Sequence, residues 1–246
     1  MHEQSKAKWS AVLMTILFAF ATAFPGSSIQ ADADFSPGGT SAEVHNHSLT
    51  SSELTNIQLL HPNSTWRYLD NGSDQGTAWR TTEFNDSTWS VGMAPLGYPV
   101  SKTTSLFGGI RKTISYGANG SMKHRTSYFR TAIYVSGLAD YTKIIGTFGM
   151  DDGVILYVNG QEVYRYNMPE GEANDQTLSS ATVEEPVTET ADLTQALRGV
   201  LHEGVNSFAA EVHQRSDNSS DLYWEMQLIA NPAGSMNMFP AISCQK

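Results

Sequence analysis

Residues 151–166 read DDGVILYVNGQEVYRY. Residues 154–159 (VILYVN) are β-branched or aromatic almost throughout, and residues 161–166 keep that character. Asn159-Gly160 stands between the two runs, and this residue pair readily supplies the positive φ angles of a two-residue hairpin. The stretch predicts two antiparallel strands joined by a tight turn. Val154–Val158 is apolar at every position, which predicts a strand covered on both faces.

The same signature recurs on both sides. Tyr128–Val135 (YFRTAIYV), Lys143–Gly149 (KIIGTFG), Ser207–His213 (SFAAEVH) and Asp221–Ile229 (DLYWEMQLI) are short, rich in β-branched or aromatic residues, and bounded by turn formers. Asp192–Leu201 (DLTQALRGVL) is the one helix-like segment, and no internal repeat is present. Many short strands with little helix predict an all-β fold, an antiparallel β-sandwich or jelly roll. Alternation places Phe129, Ile133, Phe208, Val212, Trp224 and Met226 inward. It places Tyr128, Arg130, Tyr134, Glu211, His213, Tyr223 and Glu225 on what is expected to be the outer face of one sheet.

The ends of the chain have a different character. Lys6 and Lys8 precede an uncharged apolar stretch of 14 residues, Ala11–Phe24, and small residues then lead to Ala31-Asp32-Ala33. This order is that of a cleavable secretory signal over residues 1–33, too short to span a bilayer. No later segment is apolar enough to cross a membrane, so export to the outside of the cell is expected. Residues 34–56 are polar and Gly/Ser/Thr-rich and read as a flexible linker. Residues 57–232 form the sandwich, and 233–246 read as a loose tail. The chain's net charge is -10, which disfavours phosphate backbones and anionic lipid and excludes nucleic acid as a partner. Cys244 is the only cysteine, so no disulfide can form within the chain and the fold must rest on packing. Sequons at Asn46, Asn63, Asn71, Asn85, Asn119 and Asn218 predict exposed polar loops.

Four blocks together resemble a known family. They are STWRYLDNGSDQGTAWRTTEFNDSTWSVGMAPLGY (64–98), SYFRTAIYV (127–135), DDGVILYVNGQEVYRYNMP (151–169) and GVNSFAAEVHQRSDNSSDLYWEMQL (204–228). In this order, with Trp66, Trp79 and Trp89 in place, they resemble the galactose-binding-like jelly-roll module. That module is appended to secreted multidomain proteins, beside calcineurin-like metallophosphoesterase domains and in large cell-surface proteins. The blocks are more distantly similar to the sugar-binding jelly roll of β-galactosidase-type hydrolases. The resemblance covers roughly residues 57–230. It implies a β-sandwich with a non-catalytic, ancillary or carbohydrate-associated role, and it leaves the ligand open. Modules of this kind often hold a structural Ca²⁺ near the start of the sandwich. The loop at residues 69–76 offers Asp70, Asn71 and Asp74 for that role, alongside its plainer use as an Asx/Gly turn.

Catalytic patterns are mostly missing from the sequence, and no catalytic activity is expected of it. There is no G-x-S-x-G elbow, and His202-Glu203 lacks the second His of a zinc-protease helix. Seven scattered His cannot supply a two-metal phosphoesterase centre. Glu211 and Glu225 are the one carboxylate pair that alternation could bring face to face. His45 and His47 could hold a transition metal only with ligands from elsewhere. The expected ligand-binding residues are Tyr128, Arg130, Tyr134, His213 and Tyr223 on the outer face, Gln214 at its edge, and Asp151 and Asp152 in the turn before the hairpin. Aromatic rings there would stack on sugar C–H faces and planar polar groups would hold hydroxyls. The competing expectation is a face covered by the insertion at residues 98–126. The chain thus reads as a secreted, non-catalytic binding module with a glycan or cell-surface polysaccharide as ligand. The alternatives are a structural or adhesive protein that self-associates, and the ancillary N-terminal part of a phosphoesterase-type hydrolase.

Overall fold

The computed structural model describes residues 56–99, 108–184 and 186–233. The leader, His45, His47, Asn46 and Cys244 lie outside the described residues. Twelve strands follow in chain order: β1 (Ile57–Leu60), β2 (Thr65–Leu69), β3 (Ser90–Met93), β4 (Leu96–Tyr98), β5 (Lys112–Thr113) and β6 (Thr126–Val135), then β7 (Tyr141–Asp151), β8 (Gly153–Val158), β9 (Gln161–Tyr166), β10 (Val187–Asp192), β11 (Gly204–His213) and β12 (Leu222–Pro232). The helix-like segment is reduced to one turn, α1 (Thr194–Leu197). The hairpin forms as expected, with Val158 paired to Gln161 and positive φ at Asn159 (49°) and Gly160 (86°).

Two sheets pack face to face. One runs β10-β7-β12-β4-β5, with β1 also paired to β12; the other runs β3-β2-β6-β11-β8-β9. The β4–β5 pair is parallel and the other pairs are antiparallel. The all-β antiparallel sandwich read from the sequence is the fold observed. Between the sheets lie Trp66, Phe129, Phe148, Leu156, Phe208, Trp224 and Met226, all buried. Trp66 meets Trp224 edge to face at 5.5 Å. Each such side chain contributes about 1.5–3 kcal/mol on burial, so this layer dominates stability. Gly97 lets β4 approach β12, because a Cβ there would run into the Leu222 carbonyl.

The outer face of the second sheet carries an apolar layer of its own. Trp79 and Trp89 from the β2–β3 connection, and Met168 and Ala173 from the β9–β10 connection, pack on Tyr128, Ile155, Tyr157 and Ala209. β8 is therefore covered on both faces, as its sequence predicts: Val154, Leu156 and Val158 face the sheet interface while Ile155 and Tyr157 face this layer.

Two expectations are corrected here. Among the described residues, the apolar cover over this face comes from the β2–β3 and β9–β10 connections, whereas the expectation placed it in residues 98–126. And β12 lies in the opposite sheet from β6 and β11, so Tyr223 and Glu225 share no face with Arg130 and Glu211. Alternation states which way a side chain points within its strand. It cannot state which sheet that strand joins.

Candidate functional site

The cover ends short of one part of the second sheet, and a cleft of about 400 Å³ opens there. Its floor is built by alternation. Trp66 and Tyr68 turn into the core, so Thr65 and Arg67 of β2 turn out. Phe129 and Ile133 turn in, so Arg130, Ala132 and Tyr134 of β6 turn out; Val205 and Ser207 of β11 do the same beside them. Thr82, Phe84 and Asp86 of the β2–β3 connection form one wall. Tyr134 is 72% exposed and pairs across the strands with exposed Val205.

The charges of the cleft are arranged around Asp86. Arg130 Nε donates to Asp86 Oδ2 at 2.9 Å, and Arg67 Nε lies 3.3 Å from Asp86 Oδ1. Arg130 also donates to the Trp79 carbonyl, and to the Thr81 carbonyl at 3.0 Å, while its guanidinium sits 5.3 Å over the Phe84 ring. Buried Arg130 therefore fastens the wall to the sheet. The Arg67 side chain is 40% exposed and reaches the open space.

Of the residues singled out from the sequence, Arg130 lines this cleft, and Tyr134 is exposed further along β6, outside the lining. The others are buried connectors elsewhere. Tyr128 lies under Trp79 at 4.8 Å. His213 Nδ1 lies 2.8 Å from the Thr177 carbonyl and 3.0 Å from Thr126 Oγ1, and its Nε2 is 3.4 Å from Glu211 Oε2. Glu211 accepts from the Tyr157 hydroxyl at 2.6 Å and from Arg80 at 3.4 Å. This set ties the β9–β10 connection to β11. Asp152 is wholly buried and accepts from the Val183 and Arg215 backbone N–H groups and from Ser219 Oγ. Gln214 donates to the Tyr98 hydroxyl and the Asp221 carbonyl. Asp151 is buried at the end of β7. The Tyr223 hydroxyl lies 2.7 Å from Glu225 Oε1 and 2.9 Å from the Gly108 carbonyl.

Sequence reading missed Arg67, Phe84 and Asp86. The triplet Trp66-Arg67-Tyr68 does carry an alternation signal for Arg67. Asp86 sits in an Asn-Asp-Ser-Thr turn and carries none.

In the loop expected to hold calcium, one side-chain oxygen of each of Asp70, Asn71 and Asp74 is engaged by a turn or a neighbour. Asn71 Oδ1 accepts from the Ser73 N–H and hydroxyl, Asp74 Oδ1 from the Gly76 N–H, and Asp70 Oδ2 from the Ser115 N–H. These are the Asx turns that residue type favours. Among the described residues, no three His, Cys, Asp or Glu side chains gather as metal ligands would. Nor is any helix among them long and apolar enough to cross a membrane. Asn63, Asn71, Asn85, Asn119 and Asn218 are all exposed and outside strands.

Burial pushes the Tyr98, Tyr128, Tyr157 and Tyr164 phenols well above their ordinary value of 10.0, and nearby carboxylates add to the rise. The folded state thus favours the neutral phenol. That contribution is present below the unfolded value and is lost as pH rises towards the folded one. These four tyrosines are expected to ionise only as the chain unfolds in alkali. An ultraviolet titration that coincides with loss of far-ultraviolet circular dichroism would verify this, and ionisation in an intact fold would contradict it.

No protein-family model matches the chain, and no curated protein does. Solved structures share part of it. A β-glycosidase from Bacteroides vulgatus aligns at a TM-score of 0.45 and 15% identity, over 72% of this chain and 20% of that one. A β-glucuronidase from Bacteroides uniformis aligns at 0.46 and 15%, over 72% and 18%. A β-glucuronidase from an uncultured Clostridium aligns at 0.43 and 14%, over 73% and 29%. The chain thus spans between about a fifth and a third of the length of these structures.

Proposed function

We propose that this chain is an exported, non-catalytic β-sandwich module that binds a glycan in the cleft beside Arg67, Asp86 and Tyr134. The carrying observation is the cleft itself. Its volume of about 400 Å³ falls within the usual range for small-ligand sites, roughly 300–1,000 Å³. The Phe84 ring in the wall, and the exposed Tyr134 ring beyond lining residues Ala132 and Val205, offer faces for sugar C–H groups. The Arg67 guanidinium and the hydroxyls of Thr65, Thr82 and Ser207 offer partners for sugar hydroxyls. Asp86 is the one carboxylate among the lining residues, and it is held between two guanidinium groups. That supports a holding role over acid–base work, which needs two carboxylates flanking one bond. Export rests on the order of basic, apolar and small residues in the leader.

A glycan array probed with folded protein tests this reading. Retention of at least one saccharide class is expected, and silence across the array would overturn it. Tyr134→Ala should weaken that binding roughly threefold to tenfold, the worth of one aromatic contact. Its melting temperature should stay unchanged, because the ring is exposed.

The exposed side chains of Val91, Met93, Tyr134 and Val205 favour a second reading, a sheet face that pairs with another copy of the chain. Light scattering decides between the two, since a strict monomer excludes the second.

A further inference from the structure

The protein is acidic, with a net charge of -10, yet the ionisable groups lining the cleft are Arg67, Arg130 and Asp86. Two positive groups and one negative leave the cleft at +1. Arg67 and Arg130 stand directly opposite each other on paired strands, an arrangement that like charges ordinarily disfavour. One carboxylate cannot satisfy both. Asp86 Oδ2 and two backbone carbonyls take up the buried Arg130. Arg67 retains an Nε contact at 3.3 Å and a long Nη1 contact to the Asp86 carbonyl at 3.5 Å. The more exposed guanidinium is therefore the less engaged one, and it faces the cleft with its charge only partly compensated by the carboxylate it shares with Arg130.

Resting on the glycan reading of this cleft, we propose that its occupant is an acidic saccharide, a uronate whose carboxylate pairs with Arg67 while its ring lies over Ala132 toward Tyr134. A planar carboxylate matches the guanidinium fork and can accept two parallel N–H bonds from it. A neutral sugar would leave the Arg67–Arg130 repulsion in place. A uronate removes it, so binding relieves an unfavourable interaction already present in the free protein.

The test uses the mature chain and a panel of oligogalacturonates, oligoglucuronates and oligomannuronates, each beside its methyl ester. The ester keeps the ring and removes the charge. At low salt at least one free acid should bind tenfold or more tightly than its ester, and the gap should shrink as ionic strength rises. Arg67→Gln should weaken the acid more than the ester, so that the acid-to-ester ratio measured on the variant falls to about one. Ala132→Glu, at an exposed position, should abolish the acid preference independently, and circular dichroism verifies that both variants fold. If acid and ester bind equally, or if only neutral glycans bind, the uronate assignment is wrong and the glycan reading stands. If folded protein binds no saccharide at all, the glycan reading falls and this inference falls with it.

Discussion

Arg130→Ala is expected to lower the free energy of unfolding by about 3–5 kcal/mol, the cost of removing one partner from a buried ion pair. The side chain is only 5% exposed and makes three connections to one segment: Asp86 Oδ2, the Trp79 carbonyl and the Thr81 carbonyl. Truncation leaves two carbonyls without this donor and moves Asp86 onto Arg67 alone. It also removes the cation above the Phe84 ring. The wall of the cleft then keeps the Trp79 and Trp89 packing, the Arg67–Asp86 contact and the Arg80–Glu211 pair but loses its anchor at β6, so saccharide binding should fall even where the sandwich persists. Urea denaturation measures the first effect, and hydrogen exchange across residues 78–89 measures the second. A loss under 1 kcal/mol with protection unchanged would show that the aromatic layer holds the wall without Arg130.

Asp152→Ala is expected to cost a similar amount, about 3–5 kcal/mol, because buried donors without acceptors cost about 1–3 kcal/mol each. Asp152 is wholly buried, and its two oxygens collect the Val183 N–H, the Arg215 N–H and the Ser219 hydroxyl. It thereby gathers the β9–β10 and β11–β12 connections at one end of the sandwich. The informative variant is Asp152→Asn. Oδ1 and Oδ2 each face a backbone N–H, so whichever atom becomes the amide nitrogen meets another donor. Asn is therefore expected to rescue little of the loss despite its identical shape. Recovery of more than half the stability by Asn would show that the carboxylate serves by volume and not as a double acceptor.

The fold class was legible because it depends on local pattern. Asn159-Gly160 between two β-branched runs defines a hairpin, and the alternation in 207–213 and 221–229 names the core residues. The candidate site was legible only in part, for two reasons. Alternation correctly turned Tyr128, Arg130, His213 and Tyr223 away from the core between the sheets. It carried no information on the second layer that buries Tyr128 or on the connector that takes up His213, because that layer is built by loops without period. Sheet membership is also non-local. β11 and β12 are neighbours in sequence yet lie in opposite sheets, so Glu211 and Glu225 were never going to meet. The short β2 hid Arg67 for a simpler reason: five residues give little alternation to read.

The place of β12 has a kinetic consequence. Among the described residues it is the last strand and an interior strand of its sheet, with β7 along one side and β4 and β1 sharing the other. Ile57 must wait for Ala230 before it can pair. Contacts this distant in sequence delay folding more than they weaken the folded state. A polypeptide emerging from the ribosome therefore holds β1, β4 and β7 without their shared neighbour until β12 is synthesised.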